Sequence, residues 1–359
     1  MVYYHSSYGR PKKKKNGFKK ILWGFLIILL IASGGLGYFA YGVVFNPNVW
    51  AADGESVIVK IPTGSEIEDV KKILYENGIV IHRKNFEWVS NLKSFDQSVK
   101  PGNYEIKNGI SNNDLINLLR SGNQKPINLI FNNVKDIYQL ATKVSPQIEA
   151  DSVSIVDYIV SEEFSKLVGD TSNLSVYFIP NTYEFYWNTS AEAFVLRMYE
   201  EYEEFWSGRR QSLAEAMDMS MQEVVILASI VEKETQQNSE KPVIAGVYIN
   251  RINRKWLLQA DPTLLYILDD NSIRRVLNVH KKIDSPYNTY KYLGLPPGPI
   301  CVPSISSIDA VLNYNRTPYL YFCAKDDLSG YHSFAKTLKE HNRNAKKYQK
   351  ALNELKIYK

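Results

Sequence analysis

The strongest hydrophobic pattern along the chain is an apolar run at residues 21–45, ILWGFLIILLIASGGLGYFAYGVVF, which contains no charged residue. A helix rises about 1.5 Å per residue, so a run of this length can cross the roughly 30 Å hydrocarbon core of a bilayer. The pattern therefore predicts a transmembrane helix over residues 21–45. A cleaved signal peptide is the alternative, although its apolar stretch is usually shorter and ends at a small-residue cleavage site.

Shorter patterns predict a small mixed module over residues 55–123. Alternating β-branched residues at 56–62 predict a strand. The following apolar period predicts a helix with Ser65 as its N-cap and Asn77-Gly78 as its end. The remaining predicted elements are a helix at 85–92, a strand at 101–107 and a helix at 111–122. No cluster of catalytic residue types stands out here, so we interpret this unit as a compact binding or spacer module.

From residue 126 to residue 359 the pattern becomes more aromatic and mainly helical in period. We predict helices at 134–144, 151–168, 191–207, 211–219, 221–237, 241–254 and 334–355, and a strand at 319–325. A loop-rich segment, 259–304, holds most of the prolines of this half. Together with the small module, this pattern gives an α+β fold class with a mainly helical second domain.

The distribution of charge predicts a topology. The chain carries 43 Lys and Arg against 38 Asp and Glu, but residues 1–20 contain seven of the basic residues and no acid. The remainder holds 36 basic and 38 acidic residues, so a nucleic-acid partner has little support. Because basic residues flank the cytoplasmic end of membrane helices, we expect residues 1–20 in the cytoplasm and the chain beyond about residue 46 outside.

The two cysteines, Cys301 and Cys323, would then lie on the oxidising side of the membrane. Each stands among apolar residues, in GPICVPS and YLYFCAK. A disulfide and a pair of buried free thiols are both compatible with this pattern.

The segment ILASIVEKETQQ, residues 226–237, carries the first candidate chemistry. Residues 224–231 are apolar or small on every side, which is typical of a buried helix. Glu232 and Glu234 follow, about 200° apart around the helix axis, so they cannot share a face. A carboxyl group in an enclosed apolar site has a raised pKa and can act as a general acid at a glycosidic oxygen. The alternative is that both glutamates are partly exposed and only mark the end of the helix.

Three polar and aromatic stretches follow: LLQADPTLLY at 257–266, SPYNTYKYLGLPPGPI at 285–300 and SGYHSFAKTLKEHN at 329–342. Aromatic faces cover the apolar side of a sugar ring, and amides bind acetamido and hydroxyl groups. The candidate substrate-binding residues are Gln259, Asp261, Thr263, Tyr287, Asn288, Thr289, Tyr290 and His332. Two histidines nine residues apart do not form a familiar metal-ligand spacing, so we expect no metal and no cofactor. A Ser-His-Asp hydrolase lacks support because Gly-x-Ser-x-Gly is absent.

These motifs, in this order, resemble the endolytic murein transglycosylases, the YceG-like family. The resemblance rests on LASIVEKET, VYINRI, LLQADPTLLY, YNTY with GLPPGPI, PYLYF and HSF with a later HN. It covers about residues 175–350 well, and the anchor and small module by layout. It implies a bacterial inner-membrane protein with a LysM-like module at 55–123 and a lytic-transglycosylase-like catalytic domain at 126–359, which lies in the periplasm or otherwise outside the cytoplasm.

For activity, the resemblance implies cleavage of nascent peptidoglycan strands between N-acetylmuramic acid and N-acetylglucosamine. The product is a 1,6-anhydromuramoyl end, Glu234 is the catalytic residue, and peptidoglycan synthases are candidate partners. The chain departs from the family pattern at Asn181, where Asp is more usual, and at Asn132-Asn133, which replace a Pro-Glu-Gly-like turn. Two other readings remain: a non-catalytic peptidoglycan-binding scaffold, and a hydrolase that uses water and differs only in its product.

Overall fold

A computed structural model describes residues 1–2, 9, 17–52, 54–270, 273 and 276–355. The chain divides into two compact units, Met1–Lys125 and Pro126–Lys359. Most of the predicted basic segment, residues 1–20, lies outside the described residues.

The first unit combines an apolar helix with a small two-stranded module. Its elements are α1 (Gly17–Phe45), β1 (Ser56–Ile61), α2 (Ile67–Glu76), α3 (Arg83–Leu92), β2 (Gly102–Lys107) and α4 (Asn112–Ser121). Residues Phe18–Phe45 form a helix long and apolar enough to cross a membrane, and its most apolar window is not buried inside the protein. Strands β1 and β2 pair antiparallel, from Ser56 opposite Lys107 to Ile61 opposite Gly102.

Helix ends in this unit follow the sequence with one correction. Ser111 begins the helix predicted at 111–122 by capping α4, because its side chain accepts a hydrogen bond from the backbone N–H of Asp114. Helix α2, in contrast, is capped by Glu66 and not by Ser65. Glu66 and Asp69 form a reciprocal capping box in which each side chain accepts from the other residue's backbone N–H.

The second unit is mainly helical, with two short antiparallel ribbons, β3–β4 and β5–β6. Its elements are β3 (Ile127–Ile130), α5 (Ile137–Val144), α6 (Ser152–Ile159), α7 (Glu162–Val168), β4 (Thr182–Phe185), α8 (Ala191–Trp206), α9 (Arg209–Ala216), α10 (Met221–Glu234), α11 (Lys241–Asn253), α12 (Asp261–Leu268), α13 (Ile305–Leu312), β5 (Tyr321–Ala324), β6 (His332–Ala335) and α14 (Leu338–Glu354).

Helix α10 is the buried helix that the sequence predicts. Its residues from Val224 to Val231 are all buried, and α9, α11, α12 and α13 pack around it. Its one buried hydroxyl, on Ser229, donates to the carbonyl oxygen of Ile226 at 2.7 Å and accepts from the N–H of Ile300 at 3.0 Å. The helix ends at Glu234, and the next residue, Thr235, is also buried.

Three elements differ from the prediction for physical reasons. The predicted helix at 151–168 is two helices, because the side chain of Ser161 caps α7 and interrupts the first helix. Helix α12 lies inside the segment predicted as loop, where Pro262 occupies the first turn, a position that tolerates proline. Strand β6 occupies the start of the predicted terminal helix at 334–355, because it pairs with β5 from Tyr321 opposite Ala335 to Ala324 opposite His332.

Gly246 should be intolerant of substitution, because a Cβ there would lie 2.3 Å from the carbonyl oxygen of Asn315. We expect Gly246→Ala to lower the free energy of unfolding by about 1–3 kcal/mol through overpacking. The matched control is Gly35→Ala in α1, where a Cβ would meet nothing within 4 Å. Thermal unfolding of both variants followed by circular dichroism checks this, and equal melting temperatures would show that α11 can move away.

Candidate active site

Glu234 is the last residue of α10 and reaches into a cleft of about 530 Å³. Its carboxyl oxygen Oε1 accepts a hydrogen bond from the hydroxyl of Tyr248 on α11. The cleft is shared with polar and charged side chains from several elements, among them Arg251, Asp261, Tyr290 and His332. The end of the buried helix therefore meets a polar cavity at this carboxyl group.

The surroundings of Glu234 favour its neutral form. Burial raises the pKa of Glu234 to about 7, and the negative charge of Asp261 adds to the rise. The hydrogen bond from Tyr248 and the charge of Arg251 act in the opposite direction but are outweighed. A carboxyl group with a pKa raised this far retains its proton at higher pH than an exposed glutamate does. Glu234 can therefore donate a proton near neutral pH, as a general acid must.

Glu232 has the opposite environment, although it lies only two residues earlier. Its carboxylate accepts hydrogen bonds from the hydroxyls of Ser304 and Ser307 and from the ammonium of Lys241 at 3.0 Å. Burial opposes the charge, but these three bonds outweigh it and hold the pKa of Glu232 below its usual value. Glu232 is thus an ionised anchor that joins α10 to α11 and to the start of α13.

Helix α11 supplies two residues that the sequence analysis did not assign to the site. Tyr248 and Arg251 are three positions apart, so they lie on the same helix face. Arg251 donates to the carbonyl oxygens of Leu320 at 2.7 Å and Leu258 at 2.8 Å, which ties α11 to the segments before β5 and α12. Both residues lie in the quoted motif VYINRI, and their spacing of three positions on one face of a predicted helix was the signal that could have found them.

Four of the predicted substrate-binding residues line the cleft together with Glu234: Gln259, Asp261, Tyr290 and His332. Asp261 accepts a hydrogen bond from the hydroxyl of Tyr290. Gln259 has a backbone φ of +50°, and its N–H donates to the carbonyl oxygen of Thr289 at 3.0 Å. Such left-handed conformations are rare for residues other than glycine and are found where the surrounding structure imposes them, often at functional sites.

Three other predicted substrate-binding residues, Thr263, Asn288 and Thr289, have buried side chains and do not line the cleft. The exposed fractions are 0% for Thr263 and Asn288 and 2% for Thr289. The hydroxyls of Thr263 and Thr289 lie 2.9 Å apart, and the amide of Asn288 donates to the carbonyl oxygen of Ile283 at 2.7 Å. The prediction that these side chains bind substrate directly is therefore corrected, because their polar atoms are used inside the protein.

Tyr287 also lies apart from the cleft lining. Its ring packs against Tyr266 with the ring centroids 4.9 Å apart, and burial raises the pKa of its hydroxyl to about 12. The two cysteines, which the sequence left open, are both free thiols; Cys301 is buried and Cys323 lies on the β5 side of the cleft.

Fold and site together define a class of protein: a mainly helical domain in which one protonatable carboxyl group faces a polar and aromatic cleft. Comparison with known proteins narrows this class. A family model described as the YceG-like family matches residues 59–347, and the chain belongs to this family.

Individual relatives agree with this assignment. The chain is 29% identical over 335 residues to an endolytic murein transglycosylase of Bacillus subtilis, which covers 89% of this chain and 92% of the relative. It is also 29% identical over 364 residues to an endolytic murein transglycosylase of Streptococcus pneumoniae serotype 2, covering 91% of this chain and 64% of that relative. A crystal structure of a YceG-like protein from Listeria monocytogenes matches with a TM-score of 0.54 and 29% identity, covering 80% of this chain and 98% of the other.

The raised pKa of Glu234 predicts a pH-dependent effect on stability. The folded state binds this proton with a pKa of about 7, whereas the ordinary value is 4.5, so the folded state holds more protons between these pH values. The contribution of Glu234 to the free energy of unfolding of the wild type therefore falls as pH rises from about 4.5 to 7, and it remains at the lower value above pH 7. Glu234→Gln lacks the charge, so its melting temperature should exceed that of the wild type at pH 8 and approach it at pH 5.

Differential scanning calorimetry at the two pH values measures this difference. The control is Glu200→Gln on the exposed side of α8, which should leave the melting temperature unchanged at both. If Glu234→Gln gave the same shift at pH 5 and pH 8, the carboxyl group would not be held neutral by burial.

Proposed function

We propose that this protein is an endolytic peptidoglycan lytic transglycosylase. It cleaves nascent glycan strands between N-acetylmuramic acid and N-acetylglucosamine and leaves a 1,6-anhydromuramoyl end, which stops elongation of the strand. The observation that carries the proposal is the carboxyl group of Glu234, whose pKa of about 7 is set by burial beside an open cleft. The printed names of the Bacillus and Streptococcus relatives support the substrate class.

The reaction needs only one carboxyl group. Protonated Glu234 donates to the glycosidic oxygen, and the bond from that oxygen to the anomeric carbon breaks while the acetamido group of the muramoyl residue assists. The 6-hydroxyl of the same sugar then attacks the anomeric carbon as the assisting acetamido oxygen leaves it, and the proton of this hydroxyl restores the carboxyl group of Glu234. No water is consumed. A second carboxylate, as used by glycosidases that form a covalent glycosyl-enzyme, is therefore not required.

Tyr248 orients the proton that Glu234 gives away. Its hydroxyl donates to Oε1 of Glu234, so the acidic proton belongs on the other oxygen, Oε2. Arg251 is fixed by backbone carbonyls and places a positive charge in the same cleft, where it stabilises the carboxylate that forms as the proton leaves. Gln259 is exposed at the cleft and offers an amide for an acetamido or hydroxyl group of the glycan.

The layout of the chain supports a membrane-anchored enzyme. We place the segment before α1 in the cytoplasm, α1 across the bacterial cell membrane and the remainder outside, where glycan strands are made. The first unit, with its β1–β2 ribbon and three short helices, serves as a LysM-like module, and the second unit is the lytic-transglycosylase-like catalytic domain. Peptidoglycan synthases are the expected partners, since they produce the nascent strands.

A non-catalytic scaffold is less consistent with the site. A carboxyl group held out of water at the end of a buried helix lowers stability above its pKa, and a scaffold gains nothing from that loss. An enzyme gains a proton donor that works near neutral pH.

Exchange of the two glutamates for glutamine separates catalysis from structure. Glu234→Gln keeps the shape of the side chain but removes the acidic proton, so it should abolish cleavage of defined glycan strands while the protein stays folded. Glu232→Gln should retain most of the turnover of the folded protein but melt at a lower temperature, because the substitution removes the negative charge that pairs with the buried Lys241. The reverse result would mean that the roles of the two residues are exchanged.

The products and the pH profile of the wild type test the proposed reaction itself. Mass spectrometry should find anhydro ends, which are lighter than reducing ends by one water molecule. Turnover of the wild type should fall as pH rises through about 7, because Glu234 loses the proton that it must donate. Reducing ends alone would indicate a hydrolase, and no cleavage at all would favour the scaffold.

The proposed topology predicts which part of the chain a protease can reach. Protease added outside spheroplasts should digest the chain beyond about residue 46 and leave a short fragment that contains α1. A cytoplasmic marker protein serves as the control for intact membranes. Protection of residues beyond 60 would overturn the orientation.

A further inference from the structure

A histidine and a buried carboxylate form a pair at the edge of the same cleft. His332 begins β6, and Glu240 directly precedes α11. The ring nitrogen Nδ1 of His332 lies 2.8 Å from Oε2 of Glu240, and the backbone N–H of His332 donates to Oε1 at 2.7 Å. Both side chains are largely buried, with exposed fractions of 13% for His332 and 8% for Glu240. Glu240 therefore fixes the position of His332 through two contacts.

The pairing also selects the tautomer of the imidazole ring. A carboxylate can only accept hydrogen bonds, so the proton in the contact between Glu240 and His332 belongs to Nδ1. Nε2 then carries the lone pair of the ring. Because Nδ1 is taken by Glu240 while His332 lines the cleft, Nε2 is the ring nitrogen available to a bound ligand.

Short contacts connect this pair to the catalytic acid. The ring of Phe322 packs edge-on against Tyr248, the partner of Glu234, with centroids 5.8 Å apart, and against His332 with centroids 5.4 Å apart. Thr235 follows Glu234 in sequence, and its hydroxyl lies 3.5 Å from Oε2 of Glu240. The acid and the histidine thus face one cleft from neighbouring positions.

We propose that His332 is a second proton-transfer group of this site, and that Glu240 is the positioning residue that makes it a base. The inference rests on the proposed function and refines its second step. Glu234 gives its proton to the departing glycosidic oxygen. Nε2 of His332 then takes the proton of the 6-hydroxyl as that oxygen bonds to the anomeric carbon and the assisting acetamido oxygen leaves it. After the product departs, the imidazolium returns the proton to the carboxylate of Glu234 through solvent.

A separate base accounts for the preference for the anhydro product over the hydrolysis product. The anhydro product forms only if the 6-hydroxyl captures the activated anomeric carbon before water does. A base beside that hydroxyl increases its nucleophilicity and favours the intramolecular reaction. Loss of the base should therefore alter the ratio of products as well as the rate.

Glu240→Gln is the sharpest test, because it keeps the shape of the side chain. Glutamine has one acceptor oxygen, which the backbone N–H of His332 can use, and its amide N–H groups then face Nδ1. This arrangement moves the ring proton to Nε2, so the ring can no longer accept a proton from the substrate, in the manner of the known aspartate-to-asparagine change in serine protease triads. We expect kcat to fall by about 10²-fold or more with little change in KM.

The product ratio distinguishes this role from a merely structural one. Glu240→Gln should release a larger fraction of reducing ends than the wild type, whereas a variant that only loosens the fold would lose activity without changing the ratio. Glu200→Gln, exposed on α8, is the matched control and should behave as the wild type. If Glu240→Gln kept kcat within twofold of the wild type and produced the same ratio, the proposal would be overturned while the proposed function stands. A wild type without cleavage would overturn both.

A spectroscopic measurement on the wild type covers the case in which Glu240→Gln does not fold. Nitrogen-15 NMR of histidine-labelled full-length protein, with His332→Gln used to assign the resonance, should show protonated Nδ1 and unprotonated Nε2 at a pH where the ring is neutral. A ring protonated at Nε2 would overturn the proposal.

Discussion

The burial of one ionisable carboxyl group at the C-terminal end of a covered helix is the constraint on which the site depends. Helix α10 is apolar on every side, so it needs α9, α11, α12 and α13 around it. Two of these helices, α11 and α12, also supply Tyr248, Arg251 and Asp261 beside Glu234, whose burial disfavours the charged carboxylate. The negative end of the helix dipole lies at the same place and also favours the neutral form. The packing that stabilises the domain and the proton that the chemistry needs therefore have one origin.

The two glutamates of the EKET motif show how strongly the local surroundings set the pKa of a carboxyl group. Both leave the same helix end, but they point in directions about 200° apart. Glu232 meets two serine hydroxyls, a lysine and the N-terminus of α13, all of which favour a negative charge. Glu234 is buried and accepts a hydrogen bond from Tyr248, and the negative charge of Asp261 adds to the rise of its pKa. A pair of carboxyl groups whose pKa values are driven apart is a general sign of divided roles.

Sequence reasoning identified the buried helix, the catalytic candidate and the order of the surrounding motifs, because apolar period and local motif carry that information. It did not find α12, because the proline after Asp261 is typical of a loop. The first turn of a helix also tolerates proline, and Pro262 lies in the first turn of α12. It also placed Asn288, Thr263 and Thr289 against the substrate. Their side chains satisfy backbone and side-chain partners brought together only by the fold, and no pattern along the chain distinguishes an amide that binds sugar from one that holds a loop.

The buried threonine and asparagine contacts have a consequence for the cleft. Thr289 accepts the N–H of Gln259 through its carbonyl oxygen and donates or accepts at Thr263 through its hydroxyl, so the loop and the start of α12 hold each other. Gln259 is kept in a left-handed backbone conformation that an isolated chain would rarely populate. The position of the Gln259 amide in the cleft therefore depends on the buried polar contacts of Thr263 and Thr289 behind it. Preorganised polar groups stabilise a developing charge without reorganising during a reaction, so the order that these buried contacts give to the cleft is a property that a catalytic site requires.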